Sequence, residues 1–135
     1  MSYFLNSDNS KLIRYMKLDI FIDKSMIIKE CNKLLGSERS YMCVTRPRRF
    51  GKTMTLSMLN AYYSKGCDSK DIFDKLNISK DSSYLKHLNK HNVIWIDMAS
   101  LYVNIDNREE FVVELKKRIL SDLKEKYKNV ELTNL

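Results

Sequence analysis

Apolar residues recur at helical spacing in three parts of the chain, which predicts three main helices. The first follows a cap at Asp23 or Ser25 and ends before Gly36, a residue type that commonly terminates helices. The second covers residues 52–63 and is apolar over much of its circumference. That distribution is typical of a helix that packs against a sheet.

The third helix has the clearest start. Asn107 and Glu110 stand at the N-cap and N3 positions of a capping box, in which side chains satisfy the unpaired backbone amides of the first turn. Apolar residues then form one stripe along the helix: Phe111, Val112, Leu115, Ile119 and Leu123. Lysines occupy the outer side and the later turns, so the pattern predicts a helix buried along one face.

Other segments predict β-strands. Residues 41–45 (Tyr-Met-Cys-Val-Thr) are rich in β-formers, and residues 92–98 are a near-continuous apolar run, typical of a strand covered on both faces. Residues 15–22 fit a short strand or one arm of a hairpin, while residues 1–14 predict a loose N-terminal arm. The alternation of helices and strands predicts an α/β layer fold with crossover connections and a mainly parallel sheet.

The composition is that of a basic globular domain. The 135 residues include 24 lysines and arginines against 17 aspartates and glutamates, a formal net charge of +7. This charge favours anionic partners such as nucleotides or nucleic acid, although lysines spread along a chain also form an ordinary solvated surface. The three cysteines are widely spaced and lack a CxxC pair, which argues against a zinc site and fits a reducing compartment.

Membrane association is not predicted. No apolar run approaches the ~18 residues of a membrane span. The N-terminus lacks the apolar core of a secretory signal. The sequence therefore predicts a cytoplasmic protein without a membrane partner.

The most informative motif is Gly51-Lys52-Thr53, which lies between the predicted strand at residues 41–45 and the helix predicted after it. The phosphate-binding P-loop follows the pattern G-x-x-x-x-G-K-[ST] in the same setting. Arg46 stands where the first glycine of that pattern would be, so the match is partial. A Gly-Lys-Thr tripeptide also occurs by chance at the start of a helix, but its position after a strand favours a phosphate site.

Each residue of the loop has a chemical role in this interpretation. Gly51 lets the amides at the helix start approach phosphate oxygens, Lys52 reaches the β- and γ-phosphates, and Thr53 places its hydroxyl on Mg²⁺. Arg48 and Arg49 add guanidinium groups that bind phosphates or an acidic partner. The predicted binding residues, with ATP and Mg²⁺ as cofactors, are Arg48, Arg49, Phe50, Gly51, Lys52 and Thr53.

Residues 45–57 (Thr-Arg-Pro-Arg-Arg-Phe-Gly-Lys-Thr-Met-Thr-Leu-Ser) resemble the signature of the bacterial AAA-ATPase-like family, whose members carry an Arg-Pro-Arg-Arg-Phe-Gly-Lys-Thr loop. Three further segments are similar to blocks of that family: residues 21–25, 72–78 and 93–97. The resemblance implies that residues 15–135 form the N-terminal portion of a P-loop NTPase-like three-layer sandwich. Full-length members of the family often carry a C-terminal nuclease-like domain.

The resemblance ends before the family's own Walker B strand, so it implies nucleotide binding and leaves hydrolysis in doubt. Asp97 ends an apolar run, as the Mg²⁺-binding aspartate of a Walker B strand does, but Met98 stands where a catalytic glutamate would follow. Two roles stay open for Asp97, as a metal partner of bound nucleotide or as an end residue of a neighbouring strand. No catalytic residue is assigned.

Three functions fit these observations. The first is an ATP-binding module that uses Lys52 and Thr53. The second is a non-enzymatic interaction or inhibitor protein built on a truncated ATPase fold, which acts on a nucleic-acid-handling complex or through self-association. The third is nucleic-acid binding through Arg46, Arg48 and Arg49, for which affinity should fall steeply with salt.

Overall fold

A computed structural model describes residues 4–102 and 107–128. Helices dominate these residues, and we label the α-helices α1 to α7. Their bounds are α1 Ser10–Met16, α2 Ile27–Leu34, α3 Lys52–Tyr63, α4 Lys70–Phe73, α5 Tyr84–His87, α6 Met98–Tyr102 and α7 Arg108–Lys126. A short 3₁₀ helix, Asn77–Lys80, lies between α4 and α5.

Two of the predicted helices are confirmed closely. Helix α3 has the predicted bounds, and α7 begins after Asn107, whose side-chain Oδ1 accepts the amide of Glu110 at 2.8 Å. Phe111 is buried as the stripe predicts, whereas Val112 is nearly half exposed. Helix α2 begins at Ile27 and its N-cap is Met26, so neither predicted cap holds that position. Asp23 and Ser25 make contacts outside the helix instead.

The predicted α/β sandwich with a mainly parallel sheet is wrong. Within the described ranges no strand forms, and strand-like pairing is reduced to single bridges, Leu5 with Ile94 and Ser64 with His91. Residues 41–45 are exposed and unpaired, so their β-forming side chains meet no neighbouring strand. A strand pattern reports the preference of one segment, but a sheet also needs adjacent segments that satisfy its backbone groups.

Residues 92–97 come closest to the expected strand. The amide of Trp95 donates to the carbonyl of Phe4 at 3.0 Å, and the amide of Asn6 donates to the carbonyl of Val93 at 2.7 Å. The N-terminal residues thus pair with this run over a few positions. At Met98 the chain turns into α6, which ends the extended segment.

The main hydrophobic core joins α1, α2 and α3 with the short helices that follow them. Tyr62 lies fully buried at its centre, where its ring meets that of Phe73 edge-on at a centroid distance of 5.4 Å. The buried members are Leu12, Ile28, Met58, Ala61, Tyr62, Phe73, Leu76, Ile78, Tyr84 and Leu88. This core holds α3 in place, and the start of α3 is the predicted phosphate loop.

A polar network crosses the same core. Asn32 on α2 donates to the hydroxyls of Tyr62 at 3.3 Å and of Ser83 at 2.9 Å, and its carbonyl oxygen accepts the Tyr63 hydroxyl at 2.6 Å. The Tyr62 hydroxyl in turn donates to the carbonyl of Tyr84 at 2.6 Å. Because buried polar groups are costly when unpaired, this network fixes how α2, α3 and α5 sit against one another.

A smaller core anchors α7. Phe4, Leu101 and Phe111 are its buried members. The backbone amides of Phe4 and Leu5 also donate to Oδ2 of the buried Asp122, at 2.6 and 2.9 Å. The N-terminal residues are therefore joined to α7 by apolar contact and by hydrogen bonds to a carboxylate.

Candidate functional site

The loop before α3 has the backbone conformation that its glycine predicts. Gly51 is the N-cap of α3 and adopts φ +76°, in the left-handed region that favours glycine. Arg49, two residues earlier, also has a positive φ, +65°. A Cβ added to Gly51 would lie 3.0 Å from Nζ of Lys24, so the end of that flexible side chain would have to shift slightly.

The first turn of α3 presents unpaired backbone amides. The earliest amide of this turn with a protein acceptor is that of Thr55, which donates to the carbonyl of Gly51 at 2.9 Å. Within the described residues the amides of Lys52, Thr53 and Met54 have no acceptor in the protein. These amides and the positive end of the helix dipole favour an anion at this terminus.

Lys52 folds back onto its own loop. Its Nζ donates to the carbonyls of Arg46 at 2.7 Å and Pro47 at 2.8 Å. The ammonium group therefore lies beside the backbone of the loop that would surround a phosphate. Two of the three ammonium donors are thereby used within the loop.

A second lysine, which the sequence interpretation missed, also reaches this loop. Nζ of Lys24 donates to the carbonyl of Phe50 at 2.7 Å and lies next to Gly51. Two ammonium groups, from Lys24 and Lys52, thus contact the loop carbonyls. Lys24 lies within residues 21–25, a segment already singled out by its resemblance to a family block, but nothing in the pattern gave the lysine a role.

The remaining loop residues are open to solvent. Arg48 and Arg49 are exposed, and neither side chain has a partner among the described residues. Phe50 is 57% exposed, and Thr53 is exposed at the first turn of α3. The six predicted binding residues thus lie at one loop and helix terminus, where Arg48, Arg49 and Thr53 expose their side chains and Lys52 bonds to the loop backbone.

Asp97 lies in a different setting. Its Oδ1 accepts the amides of Ala99 at 3.1 Å and Ser100 at 3.3 Å at the start of α6, and the hydrogen bonds from Ser100 hold the pKa of Asp97 below its ordinary value. It lines a cavity of about 310 Å³ with Lys11 and Trp95, and residues 48–53 do not contribute to that cavity. Its hydrogen bonds are those of a helix cap at the end of an extended run.

Comparison with known proteins decides the family. A family model described as predicted AAA-ATPase matches residues 9–134 of the chain. The chain belongs to this predicted AAA-ATPase family. No curated protein and no solved structure matches the chain.

The family assignment confirms the resemblance drawn from residues 45–57, and the match includes both Lys24 and the loop before α3. In this AAA-ATPase-family chain, no helix among residues 4–102 and 107–128 is long and apolar enough to cross a membrane. Nor do three or more His, Cys, Asp or Glu side chains of those residues converge as metal ligands.

The residues beside Lys24 explain how this family segment is held against the loop. Asp23 accepts the amide of Ser25 on Oδ1 and that of Asn77 on Oδ2, both at 2.8 Å. The fully buried Ser25 hydroxyl accepts the amide of Ile78 at 3.1 Å. Three consecutive residues therefore attach the segment to the 3₁₀ helix and to the loop, which places the Lys24 ammonium.

Burial alone would raise the pKa of Asp23. The hydrogen bonds from Ser25 and Asn77 outweigh that effect and lower the pKa below the ordinary 3.8. Asp23 is thus an ionised acceptor at neutral pH. Its charge stabilises the anchored segment, because each carboxylate oxygen accepts a protein amide.

Proposed function

We propose that this chain binds the phosphates of ATP, together with Mg²⁺, at the loop of residues 46–53. The observation that carries the proposal is the set of unpaired amides at the start of α3, next to a glycine in the left-handed conformation. Phosphate oxygens accept from such amides, and the helix dipole adds to the attraction. Membership of the predicted AAA-ATPase family supports the same ligand class.

The side chains of the loop fit a magnesium–nucleotide ligand. Lys52 and the exposed Arg48 and Arg49 supply positive charge. Thr53 is also exposed, and P-loops use the hydroxyl of a serine or threonine at this position to bind Mg²⁺. When bound, the metal would offset the charge of the phosphates. The proposal assigns binding to these residues and assigns no catalytic base.

Lys52 is the residue whose removal tests the proposal most directly. In the free protein its ammonium is held by the carbonyls of Arg46 and Pro47, so the gain on binding is the difference between those bonds and charge-assisted bonds to phosphate. We expect Lys52→Ala to weaken ATP binding by roughly tenfold or more. Isothermal titration with ATP and Mg²⁺ measures this change.

Lys117→Ala provides the control, since it removes an exposed lysine of α7 and changes the net charge equally. Its affinity for ATP should equal that of the unaltered protein. Equal affinities of Lys52→Ala and Lys117→Ala would contradict the proposal, as would the absence of ATP binding in all three proteins.

The same titration separates nucleotide binding from binding to nucleic acid. A polynucleotide that contacts several phosphates through Arg46, Arg48 and Arg49 should lose affinity steeply as salt is raised. We expect the chain to bind ATP more tightly than a single-stranded oligonucleotide of random sequence at physiological salt. Tighter binding of the oligonucleotide, with a steep salt dependence, would favour the nucleic-acid function instead.

A further inference from the structure

A cleft between α2 and α5, which we call the α2–α5 cleft, has a volume of about 260 Å³. This is just below the ~300–1,000 Å³ typical of pockets for drug-sized ligands. Residues 46–53 do not line it, so it is separate from the loop before α3. Four of its lining side chains are basic and one is acidic: Lys29, Lys33, Lys86 and His87 against Asp81. The cleft is therefore sized for a small ligand and is positively charged.

The acidic side chain of the cleft is already neutralised by the protein. Oδ2 of Asp81 lies 3.2 Å from Nζ of Lys29, and its Oδ1 accepts the amide and the hydroxyl of Ser83 at 2.9 and 2.7 Å. The hydrogen bonds from Ser83, followed by that from Lys29, lower the pKa of Asp81 to about 2. Asp81 is thus a permanent partner of Lys29 at neutral pH and does not offset the other lysines.

Two further lysines give the cleft its net positive charge. Lys33 pairs with Glu30 at 2.8 Å, but both side chains are more than half exposed, and such a pair contributes only ~0–1 kcal/mol. Lys86 is exposed and has no anionic partner among the described residues. Both ammonium groups are therefore available to an anion in the cleft.

A pair of histidines adds a directed hydrogen-bond donor. Nδ1 of His87 lies 3.0 Å from Nε2 of His91, so one proton is shared between these two nitrogens. When His91 carries this proton, His87 accepts it on Nδ1 and holds its own proton on Nε2, which is outside the pair. A second arrangement, with one ring charged, keeps the same bond and leaves a proton on Nε2 of His87. In both arrangements His87 can donate an N–H to an anion.

The surroundings of the histidine pair also favour an anion. Burial lowers the pKa of His87, and the positive charges of His91, Lys86 and Lys90 lower it further. More titratable groups stand around the pair on α2, the residues before α5, and α3: Lys29, Lys33, Asp81 and Tyr63. Burial raises the pKa of Tyr63, so this side chain stays neutral and supplies no charge. A dianion in the cleft would offset the excess of positive charge and favour the protonated form of His87.

We propose that the α2–α5 cleft binds a small phosphate monoester, whose tetrahedral dianion is held by Lys33, Lys86 and the N–H of His87. The lysines supply charge, and the imidazole supplies a donor of fixed direction. The volume beyond the phosphate group takes a small organic substituent. This site is independent of the proposed nucleotide site, since it uses none of residues 46–53.

Nuclear magnetic resonance of the full chain can follow this cleft directly. The chain has two histidines, so the ring protons of His87 and His91 give separate signals that His91→Gln assigns. Sulfate is the first probe, because it stays a tetrahedral dianion throughout the neutral range. We expect sulfate to shift the His87 signal along a saturating curve with a Kd below about 10 mM in low salt, whereas chloride at equal ionic strength gives no saturation. Glycerol 3-phosphate should bind at least as tightly as inorganic phosphate.

Lysine variants locate the anion. Lys33→Ala and Lys86→Ala should each weaken sulfate binding by about three- to tenfold, since each removes one charge next to the dianion. Lys117→Ala, which removes an exposed lysine of α7, is the control and should leave the affinity unchanged.

The pH dependence tests the role of His87. Because the anion favours the protonated imidazole, sulfate affinity of the unaltered chain should rise by about threefold or more between about pH 8 and pH 6. His87→Gln should lose most of this rise, as followed at the His91 signal.

Several results would overturn the proposal. Equal sulfate affinities of Lys86→Ala and Lys117→Ala would place the anion outside the cleft. A His87 shift that grows linearly with both sulfate and chloride would show screening by salt and not binding. An equal rise in affinity on acidification in His87→Gln and in the unaltered chain would remove His87 from the site. Tighter binding of inorganic phosphate than of glycerol 3-phosphate would exclude a monoester as the ligand.

Discussion

Asp23→Asn tests the anchor that holds Lys24 against the loop. The carboxylate accepts two backbone amides, from Ser25 and Asn77, at 2.8 Å each. Asparagine keeps the shape and one acceptor oxygen, but it turns an amino group toward one of the two amide donors. The substitution therefore removes the charge from one hydrogen bond and replaces the other with two opposed donors.

The expected cost follows from those two bonds. A hydrogen bond to a charged group contributes about 1.5–3 kcal/mol, and Asp23 is half-buried, so solvent replaces part of the loss. We expect the free energy of unfolding to fall by about 2 kcal/mol at pH 7. Urea denaturation followed by circular dichroism measures the difference, with Asp19→Asn as the control, since Asp19 is exposed on the same connection between α1 and α2.

The pH dependence gives the same prediction a second readout. Because the folded pKa of Asp23 lies below its ordinary 3.8, the stabilisation is fully present above the unfolded pKa and is lost as pH falls through the folded pKa. The difference between the unaltered chain and Asp23→Asn should therefore be constant near neutral pH and shrink below about pH 4. A cost equal to that of Asp19→Asn, or one that persists unchanged into acid, would refute this reasoning.

Three other substitutions or measurements follow from single contacts. Asn89→Ala removes a side-chain amide whose nitrogen donates to three backbone carbonyls at the end of α3 and whose oxygen accepts the backbone amide of Ser69. The free energy of unfolding in urea should therefore fall by about 2–4 kcal/mol. A loss below about 0.5 kcal/mol would contradict this role. Lys24→Met should weaken ATP binding about fivefold in calorimetry. The free energy of unfolding should stay within about 0.5 kcal/mol of that of the unaltered chain, because the bond from Lys24 to the loop is exposed. An unchanged ATP affinity would show that Lys24 contacts the loop but not the nucleotide. Cys43 is exposed whereas burial raises the pKa of the Cys31 and Cys67 thiols, so a chromogenic disulfide reagent should modify one thiol quickly and two slowly, and Cys43→Ser should remove the fast phase.

Helices were predictable where local patterns and packing agree. Residues 52–63 read as an apolar helix from the sequence, and α3 has those bounds because its buried residues face the main core. The cap at Asn107 was predictable because a capping residue acts within four positions of itself. Such features depend on neighbours in the sequence, which the sequence alone supplies.

The sheet was not predictable because strands need distant partners. Residues 41–45 have the composition of a strand, yet in the structure they are exposed and pair with nothing among the described residues. Residues 92–97 do find a partner, the short run at residues 4–6, and no pattern in either segment indicates this pairing. Pairing depends on chain topology, and a periodic pattern does not encode it.

In the candidate site, too, the features set by local sequence were predictable and those set by contacts within the folded chain were not. The position of Gly51 at the helix start and its left-handed conformation follow from the motif. The bonds from Lys52 to the carbonyls of Arg46 and Pro47 do not, because the motif describes the loop with phosphate present. The approach of Lys24 depends on Asp23 and Ser25 reaching the 3₁₀ helix more than fifty positions later in the chain.

The bonds from Phe4 and Leu5 to Asp122 have a consequence for how the chain is made. The Leu5 bond spans 117 positions, so during synthesis Leu5 leaves the ribosome long before the carboxylate that receives its amide. Closing so large a loop is slow relative to local helix formation, and we expect this contact to form last. Until this contact forms, the apolar ring of Phe4 lacks part of its buried surroundings, so folding intermediates without the contact expose more apolar surface than the folded chain.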